Sequence, residues 1–207
     1  MSLRLLPFRQ YDENDVVNLF ALDSAMILDS TTGDGKGSNG VFVKVKNGNF
    51  NQDVITYAED SYLGKSDFPF VGKDAYPSNP LIVTGCTSGD VPLGLTLLQT
   101  AKNDENGEKL LYNATKREEL QAVLPGQSVP VATKGIFTLA EEAFEGDAVD
   151  YTVGTGIRIS DNTDGKITGA APSADKAFGT VIGTGSRASQ GGLTDQFAGE
   201  YIIVKIG

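Results

Sequence analysis

The stretch VPVATKGIFTL, residues 129–139, holds two short apolar runs on either side of a lysine and a glycine. Apolar and β-branched residues at alternate positions are typical of strands that bury one face. Comparable runs, each bounded by Gly, Asp, Asn or Pro, follow one another along the chain. They cover residues 41–45, 54–57, 81–84, 93–98, 129–133, 136–139, 148–153, 156–159, 178–182 and 201–206. This series of short segments predicts an all-β fold.

The composition agrees with a folded β protein that does not bind nucleic acid. Glycine supplies 25 of the 207 residues, above the usual ~7%, as expected where many tight turns separate strands. The 17 basic and 27 acidic side chains leave a net charge of −10. Because a phosphate backbone repels a surface of this charge, we expect no nucleic-acid partner.

The lack of histidine and the single cysteine remove most routes to catalysis. Neither a Ser-His-Asp triad nor a Cys-His pair can form, and the Cys and His ligands are too few for a structural zinc site. Cys86 has no second cysteine with which to form an intrachain disulfide and no histidine to activate its thiol, so we expect it to fill apolar space. The sequence therefore predicts a protein that is not an enzyme and carries no cofactor or metal.

Carboxylates are the remaining candidates for chemistry. Glu141 and Glu142 could serve sugar hydrolysis, in which two carboxyl groups flank one bond. Neighbours in a strand point to opposite faces, so solvated charge explains this pair better. The sequence DNTDG, residues 161–165, lacks the fifth-position and twelfth-position ligands of a calcium loop and is predicted to form a turn.

No apolar run approaches the roughly 20 residues that span a bilayer. The apolar stretch at the start of the chain is broken early by Pro7, which is unlike a secretory signal. We therefore expect no membrane partner and synthesis in the cytoplasm.

One segment has the signals of a short helix. Thr115 can cap it, with Glu118 three residues later completing a capping box, and Pro125 ends it after Leu120 and Val123. The sequence Asn113-Ala114-Thr115 matches a glycosylation acceptor, but it is better explained as part of the helix cap. We expect a surface helix of about two turns between strands.

The chain repeats the order of its segments. The sequence DVITY at residues 53–57 resembles DAVDY at residues 147–151, and each precedes a strand that ends in Thr-Gly, at Gly85 and at Gly169. An apolar-Gly pair then follows in each half, at Gly94 and at Gly179, and each half closes with a mostly apolar strand. The repeated order predicts two tandem small β-barrel-like modules, with longer loops in the first. Glycine inside a strand supplies the bends that a small barrel needs.

The first 40 residues differ from the rest. A basic, apolar stretch is followed by acidic residues and then by a second apolar group. Two interpretations remain open: an amphipathic arm that contacts a partner surface, or a first strand and a short helix packed on the barrel. The candidate contacts with a partner surface or with a second copy of the chain are the apolar residues Leu3, Leu5, Leu6, Phe8, Val16, Val17, Leu19 and Phe20.

The predicted organisation has three parts. They are an N-terminal arm and flexible loop over residues 1–40, a first β module with long loops and one short helix over residues 41–128, and a second β-barrel module over residues 129–207.

The C-terminal half resembles the capsid decoration, or cement, proteins of tailed bacteriophages. The resemblance lies in short hydrophobic motifs at residues 129–139, 145–151, 165–168, 178–183 and 201–206, and it covers about residues 90–207. It implies a small β-barrel without catalytic residues. It also implies a virion protein on the outer capsid surface that bridges major capsid protein subunits, commonly as a homo-oligomer and in particular as a trimer. The loops 58–80 and 99–128 are further contact candidates.

Two other function classes remain as alternatives. A carbohydrate-binding or tail-fibre-like β module would display loops from the barrel ends, although the chain has no tryptophan for sugar stacking. A hydrolase that uses Asp and Glu ranks third.

Overall fold

The computed structural model describes residues 4–23, 39–46, 82–100, 109–110, 112–124, 127–163, 165–171, 173–189 and 198–207. These residues form mainly β structure and one six-residue helix, α1 (Ala114–Glu119), which confirms the predicted fold class at this level. The strands are β1 (Leu5–Gln10), β2 (Val16–Val17), β3 (Ala21–Leu22), β4 (Phe42–Val45), β5 (Ile82–Gly85), β6 (Gly94–Thr96), β7 (Gln99–Thr100), β8 (Ala122–Val123), β9 (Val131–Ala132), β10 (Gly135–Ala140), β11 (Gly156–Ile159), β12 (Ile167–Ala170), β13 (Gly179–Arg187) and β14 (Gly199–Ile206).

Most strands belong to two six-stranded sheets. Sheet I has the order β2-β9-β6-β4-β5-β3, and sheet II has the order β1-β10-β14-β13-β11-β12. Strands β7 and β8 form a separate parallel pair beside α1. The quoted stretch 129–139 connects the sheets, since β9 lies in sheet I and β10 lies in sheet II.

The two sheets share one connectivity. Five strands of each sheet correspond both in chain order and in position within the sheet. The strands β2, β4, β5, β6 and β9 of sheet I match β10, β11, β12, β13 and β14 of sheet II, respectively. All pairings among these strands are antiparallel in both sheets. At the end of sheet I, β3 pairs with β5 in parallel, and a parallel bridge joins Phe144 to β12 at the corresponding end of sheet II.

The glycines singled out in the sequence occupy matching register positions. In sheet I, Gly85 and Gly94 lie on either side of Val43 in the central strand β4. In sheet II, Gly169 and Gly179 lie on either side of Ile157 in β11. A second pair of matching glycines lies shortly before β4 and β11. Gly40 has φ +75° and donates its N–H to the Thr96 carbonyl at 2.8 Å, and Gly154 has φ +91° and donates to the Val181 carbonyl at 2.8 Å. Positive φ favours glycine at both positions.

Two of these glycines lie where strands approach too closely for a side chain. A Cβ atom on Gly94 would lie well under 3.0 Å from the Ala132 carbonyl oxygen, and a Cβ on Gly179 would meet the Lys205 carbonyl oxygen in the same way. Ala132 and Lys205 lie on the matching strands β9 and β14. The sequence predicted bends at these glycines, and what the structure shows at each is a close approach of a neighbouring backbone.

Hydrogen bonding between paired strands does not close either sheet among the described residues. Each sheet nevertheless has short backbone contacts at one open edge, which we call its gap. In sheet I, Ala21 of β3 bridges Ser128, and the Val129 N–H donates to the Phe20 carbonyl at 3.0 Å. In sheet II, the Glu145 N–H donates to the Ile167 carbonyl at 3.0 Å beside the Phe144 bridge. The segments that make these contacts directly precede β9 and follow β10, so each sheet curls back on itself.

A common core joins the two sheets. Phe42, Leu95 and Ala132 from sheet I are fully buried in the same cluster as Phe137 and Val204 from sheet II. A second cluster lies within sheet I, around Val43, Val83 and Val131. Burial of large apolar side chains, at about 25 cal/mol per Å², is the main contribution to holding such sheets together.

Polar contacts between the loop at residues 86–89 of sheet I and two loops of sheet II lie beside this core, and we call them the inter-sheet contacts. The Gly165 N–H donates to the Cys86 carbonyl at 2.8 Å, Ser88 Oγ donates to Asp161 Oδ1 at 2.5 Å, and Lys176 Nζ donates to the Gly89 carbonyl at 2.5 Å. Cys86 itself is fully buried in the common core, as expected for a residue that fills apolar space.

The first residues pair with both sheets. Strand β1 lies along β10 of sheet II, whereas β2 and β3 belong to sheet I. Strand β9 lies after the proposed boundary at residue 129 and also pairs within sheet I. The division into segments 1–40, 41–128 and 129–207 stays a prediction, and strand pairings cross both of its boundaries.

Two local predictions were wrong. Residues 148–150 form a 3₁₀ turn, not a strand, because the Asp147 and Asp150 side chains make a capping box there. Helix α1 is capped by Asn113, whose side chain accepts from the Lys116 N–H at 3.2 Å, and Val123 lies in β8. Asparagine competes well for the N-cap position, so the helix begins before Thr115.

The predicted strand at residues 54–57 and the loop at 58–80 lie outside the described residues.

We expect Gly94→Ala and Gly179→Ala each to lower the free energy of unfolding by about 1–3 kcal/mol, because the new methyl group must displace a backbone carbonyl. Urea denaturation followed by circular dichroism measures the change. Gly169→Ala is the matched control, since its Cβ would meet no atom closer than 3.4 Å. Equal stability of all three variants would contradict the close approach.

The carboxylate of Asp90 is expected to stabilise the fold only above its titration range. Burial raises its pKa, but hydrogen bonds from Lys44 Nζ and from the Thr87 N–H and hydroxyl together outweigh burial and hold the pKa below its usual value. Since the folded-state pKa is lowered, this contribution is present above the unfolded pKa and is lost as pH falls through the folded one.

Asp90→Asn should therefore lower the melting temperature at pH 6 by more than it does at pH 3. Differential scanning calorimetry across this range makes the comparison. Glu118→Gln, on the exposed side of α1, is the control and should show no such pH-dependent difference. A constant effect of Asp90→Asn at every pH would show that its charge does not matter.

Candidate functional site

The structure separates the candidate contact residues by their exposure. Leu5, Leu6 and Phe20 are buried, and Val16 and Val17 are half-buried in β2. Phe8 and Leu19 are 65% and 59% exposed, so these two can reach a partner without unfolding. Leu3 lies outside the described residues.

Phe8 belongs to an apolar groove on the face of sheet II that points away from the core. We call it the β1–β14 groove. It encloses about 630 Å³ and is lined by Leu6, Pro7, Phe8, Thr138, Arg187, Tyr201 and Ile203. Residues from four strands, β1, β10, β13 and β14, therefore meet in it.

Strand alternation explains why these side chains converge. In β14, Ile202, Val204 and Ile206 point into the common core, so Tyr201 and Ile203 point to the opposite face. Thr138 lies opposite Ile203 in the register of β10 and β14. The closing strand of the sequence thus has one face in the core and one in the groove.

Glycine makes room for the aromatic ring in the groove. Gly185 lies opposite Tyr201 in the register of β13 and β14, and a Cβ at this position would lie 2.6 Å from the Tyr201 hydroxyl oxygen. The tyrosine ring therefore lies across the glycine, a cross-strand arrangement that compensates for a missing side chain.

The floor of the groove holds an unpaired hydroxyl. Thr138 is 5% exposed, and its Oγ1 has no hydrogen-bond partner among the described residues. A buried polar atom without a partner costs stability and calls for an explanation. The oxygen is itself buried, so the cost falls on the fold.

Arg187 supplies the only charge among the described residues that line the groove. It is exposed, and it makes no ion pair with another described residue. The nearby carboxylate of Glu200 is engaged elsewhere, since its Oε2 accepts from the Ala148 N–H at 2.5 Å. The groove is thus an apolar surface with one available cation.

A second, more polar cleft lies beside the 3₁₀ turn at residues 148–150. Burial raises the pKa of its Tyr151 to about 12, so this phenol stays protonated, and its hydroxyl donates to the Glu145 carbonyl at 2.6 Å. Hydrogen bonding from Ser160 lowers the pKa of Glu145. A general acid or base near neutral pH needs the opposite shifts, so this pair is arranged as structural support.

The other candidates from the sequence occupy separate places. Glu141 and Glu142 lie in an exposed 3₁₀ turn, and Asp161 accepts from Arg158 in the turn at residues 161–163. Across the described ranges, no group of three or more acidic or cysteine side chains is placed to hold a metal. No helix in those ranges is both long and apolar enough to cross a bilayer.

Sequence reasoning identified Leu6 and Phe8 but missed Thr138, Arg187, Tyr201 and Ile203. The alternation of residues 201–206 was the available signal, since a strand with one buried face must present Tyr201 and Ile203 together on the other. Comparison of the chain with protein-family models, with curated proteins and with solved structures gives no match.

Proposed function

We propose that this protein is a structural virion protein that binds the outer surface of a phage head and bridges or stabilises major capsid subunits. The observation that carries the proposal is the β1–β14 groove, where three residues of β1 join side chains of β10, β13 and β14 in one largely apolar surface. The resemblance of residues 90–207 to capsid decoration proteins gives this surface its proposed partner.

The matched sheets support a two-module organisation. Two tandem, barrel-like modules from one ancestral unit would produce sheets of this kind. Such sheets would share their strand connectivity, the register of their glycines and the contacts at their open edges. We propose that the modules act as one clamp, because the common core couples them.

The proposed mode of action is repeated weak binding. A head presents the same surface many times, so a homo-oligomer, with a trimer favoured, gains avidity even when each copy buries a modest area.

A carbohydrate-binding or tail-fibre-like module is the second candidate function. It is favoured by two exposed aromatic rings, Phe8 and Tyr112, because sugars stack on such faces. Saturable binding on a glycan array, together with no binding to heads, would establish this alternative.

We expect the purified protein to co-sediment with heads assembled without it, and Phe8→Ser to reduce its affinity about tenfold, since burying a phenylalanine contributes about 1.5–3 kcal/mol. Quantitative gel densitometry of the pelleted heads measures occupancy. Point substitution is preferable to deletion of residues 1–22, which would remove three paired strands.

Val153→Ser is the matched control, because Val153 is also strongly exposed but lies outside the groove. Equal loss of occupancy in both variants would show that the groove is not the contact. Failure of the unsubstituted protein to bind heads would reject the capsid function.

A further inference from the structure

Strand β1 has no counterpart in sheet I. Strands β10 and β2 take matching places in the two sheets, but β1 pairs with β10, whereas no described strand pairs with the corresponding side of β2. The five-strand unit that the sheets share is therefore complete without β1. We call the side of β10 that β1 covers the β10 edge.

We propose that β1 is exchanged between copies of this chain, so that β1 of one copy occupies the β10 edge of another and ties a homo-oligomer together. The occupant of the edge is then a second copy of the chain. This inference rests on the proposed function only for the expectation that copies meet on a head.

The β10 edge is built to receive this particular strand. At Gly135, where φ is +140°, a Cβ atom would lie 2.7 Å from the Gln10 carbonyl oxygen. In sheet I the matching position holds Asp15, since each lies one residue before the register partner of the equivalent residues Ala132 and Lys205. A side chain at this position excludes such a close approach, so β1 fits β10 and not β2.

Contacts on both sides of β1 fix it to this edge. Leu5 is buried in the common core, and the Ala140 N–H donates to the Arg4 carbonyl at 2.8 Å. The Tyr11 ring stacks on Phe137, with ring centroids 5.9 Å apart. The same contacts form whether the strand comes from the same copy or from another, so exchange loses none of them.

The connection between β1 and β2 is a short hinge, residues 12–14. On one side Tyr11 is held by sheet II, and on the other the Asp15 carbonyl accepts from the Thr133 N–H in sheet I at 2.8 Å. The chain must reverse between these two anchors within one 3₁₀ turn. Short hinges of this kind favour strand exchange, because opening the hinge removes the constraint.

Charge in the hinge also favours its open form. Asp12, Glu13 and Asp15 place three carboxylates within four residues, and none of them has an ion-pair partner among the described residues. An extended chain separates these like charges. The Asn14 N–H donates to Asp12 Oδ1 at 2.8 Å, but this bond is exposed to water, so breaking it costs little.

Two features limit exchange to a compact oligomer. Pro7 lies within β1 and has no N–H to offer a further strand, which disfavours extension of sheet II beyond β1. The opened hinge spans about 10–14 Å, since an extended chain covers about 3.3–3.6 Å per residue. Copies that exchange β1 must therefore be in direct contact.

The test traps β1 on the strand with which it pairs. Gln10 and Ile136 are register partners, and directly opposite residues of antiparallel strands have Cα atoms about 4.5–5.5 Å apart, within reach of a disulfide. Gln10→Cys and Ile136→Cys are combined with Cys86→Ala, so that the new pair holds the only thiols. The full-length variant is refolded from urea at high protein concentration and oxidised.

Non-reducing gel electrophoresis should show oligomers linked between chains, and reduction should return them to the monomer band. A link within single chains alone would overturn the proposal. Arg158→Cys with Thr168→Cys is the matched control, because these half-buried register partners lie in neighbouring strands of one sheet and should link within the chain in every state. Equal amounts of oligomer from the control would show random crosslinking and would also overturn the proposal.

A longer hinge is the second variant. A Gly-Ser-Gly-Ser insertion between Glu13 and Asn14 relieves the tight turn and lets β1 return to its own sheet II. In the protein with the Gln10→Cys and Ile136→Cys pair, the insertion should move crosslinked protein from the oligomer bands to the monomer band. An unchanged distribution would overturn the hinge as the cause of exchange.

Co-sedimentation with heads distinguishes this inference from the proposed function. Links within single chains in a protein that binds heads would overturn exchange and leave the capsid function standing. Links between chains in a protein that does not bind heads would reject the capsid function and retain exchange.

Discussion

Close approach of two strand backbones governs the architecture of both sheets. At Gly94 and Gly179 a neighbouring carbonyl group occupies the space where a side chain would begin, so only glycine permits the pairing of β6 with β9 and of β13 with β14. Large side chains from both sheets pack together in the common core.

The groove depends on this arrangement indirectly. Strand β14 is central in sheet II, with β10 on one side and β13 on the other, so its outward residues are flanked by side chains from both. Strand β1 extends the same surface and contributes Leu6 and Phe8. The N-terminal segment thus serves the fold through Leu5 in the core and serves the surface through Phe8.

Polar groups in the molecule divide into those with partners and those without. Asp90, Glu145 and Asp161 are each held by specific hydrogen bonds that lower their pKa values, which suits charges that fix loops. Arg187 and the Thr138 hydroxyl have no such partners among described residues. The paired carboxylates therefore hold loops in place.

The amino-acid sequence by itself determined which segments become strands and where glycine must interrupt them, because alternation and turn chemistry act between near neighbours. Its lack of histidine also excluded a Ser-His-Asp triad and a Cys-His pair. Only the tertiary structure decided that β1 joins sheet II while β2 and β3 join sheet I, and that Thr138, Arg187 and Tyr201 meet at one surface. These outcomes depend on contacts between residues far apart in the chain, and local patterns carry no record of which distant strand will be the partner.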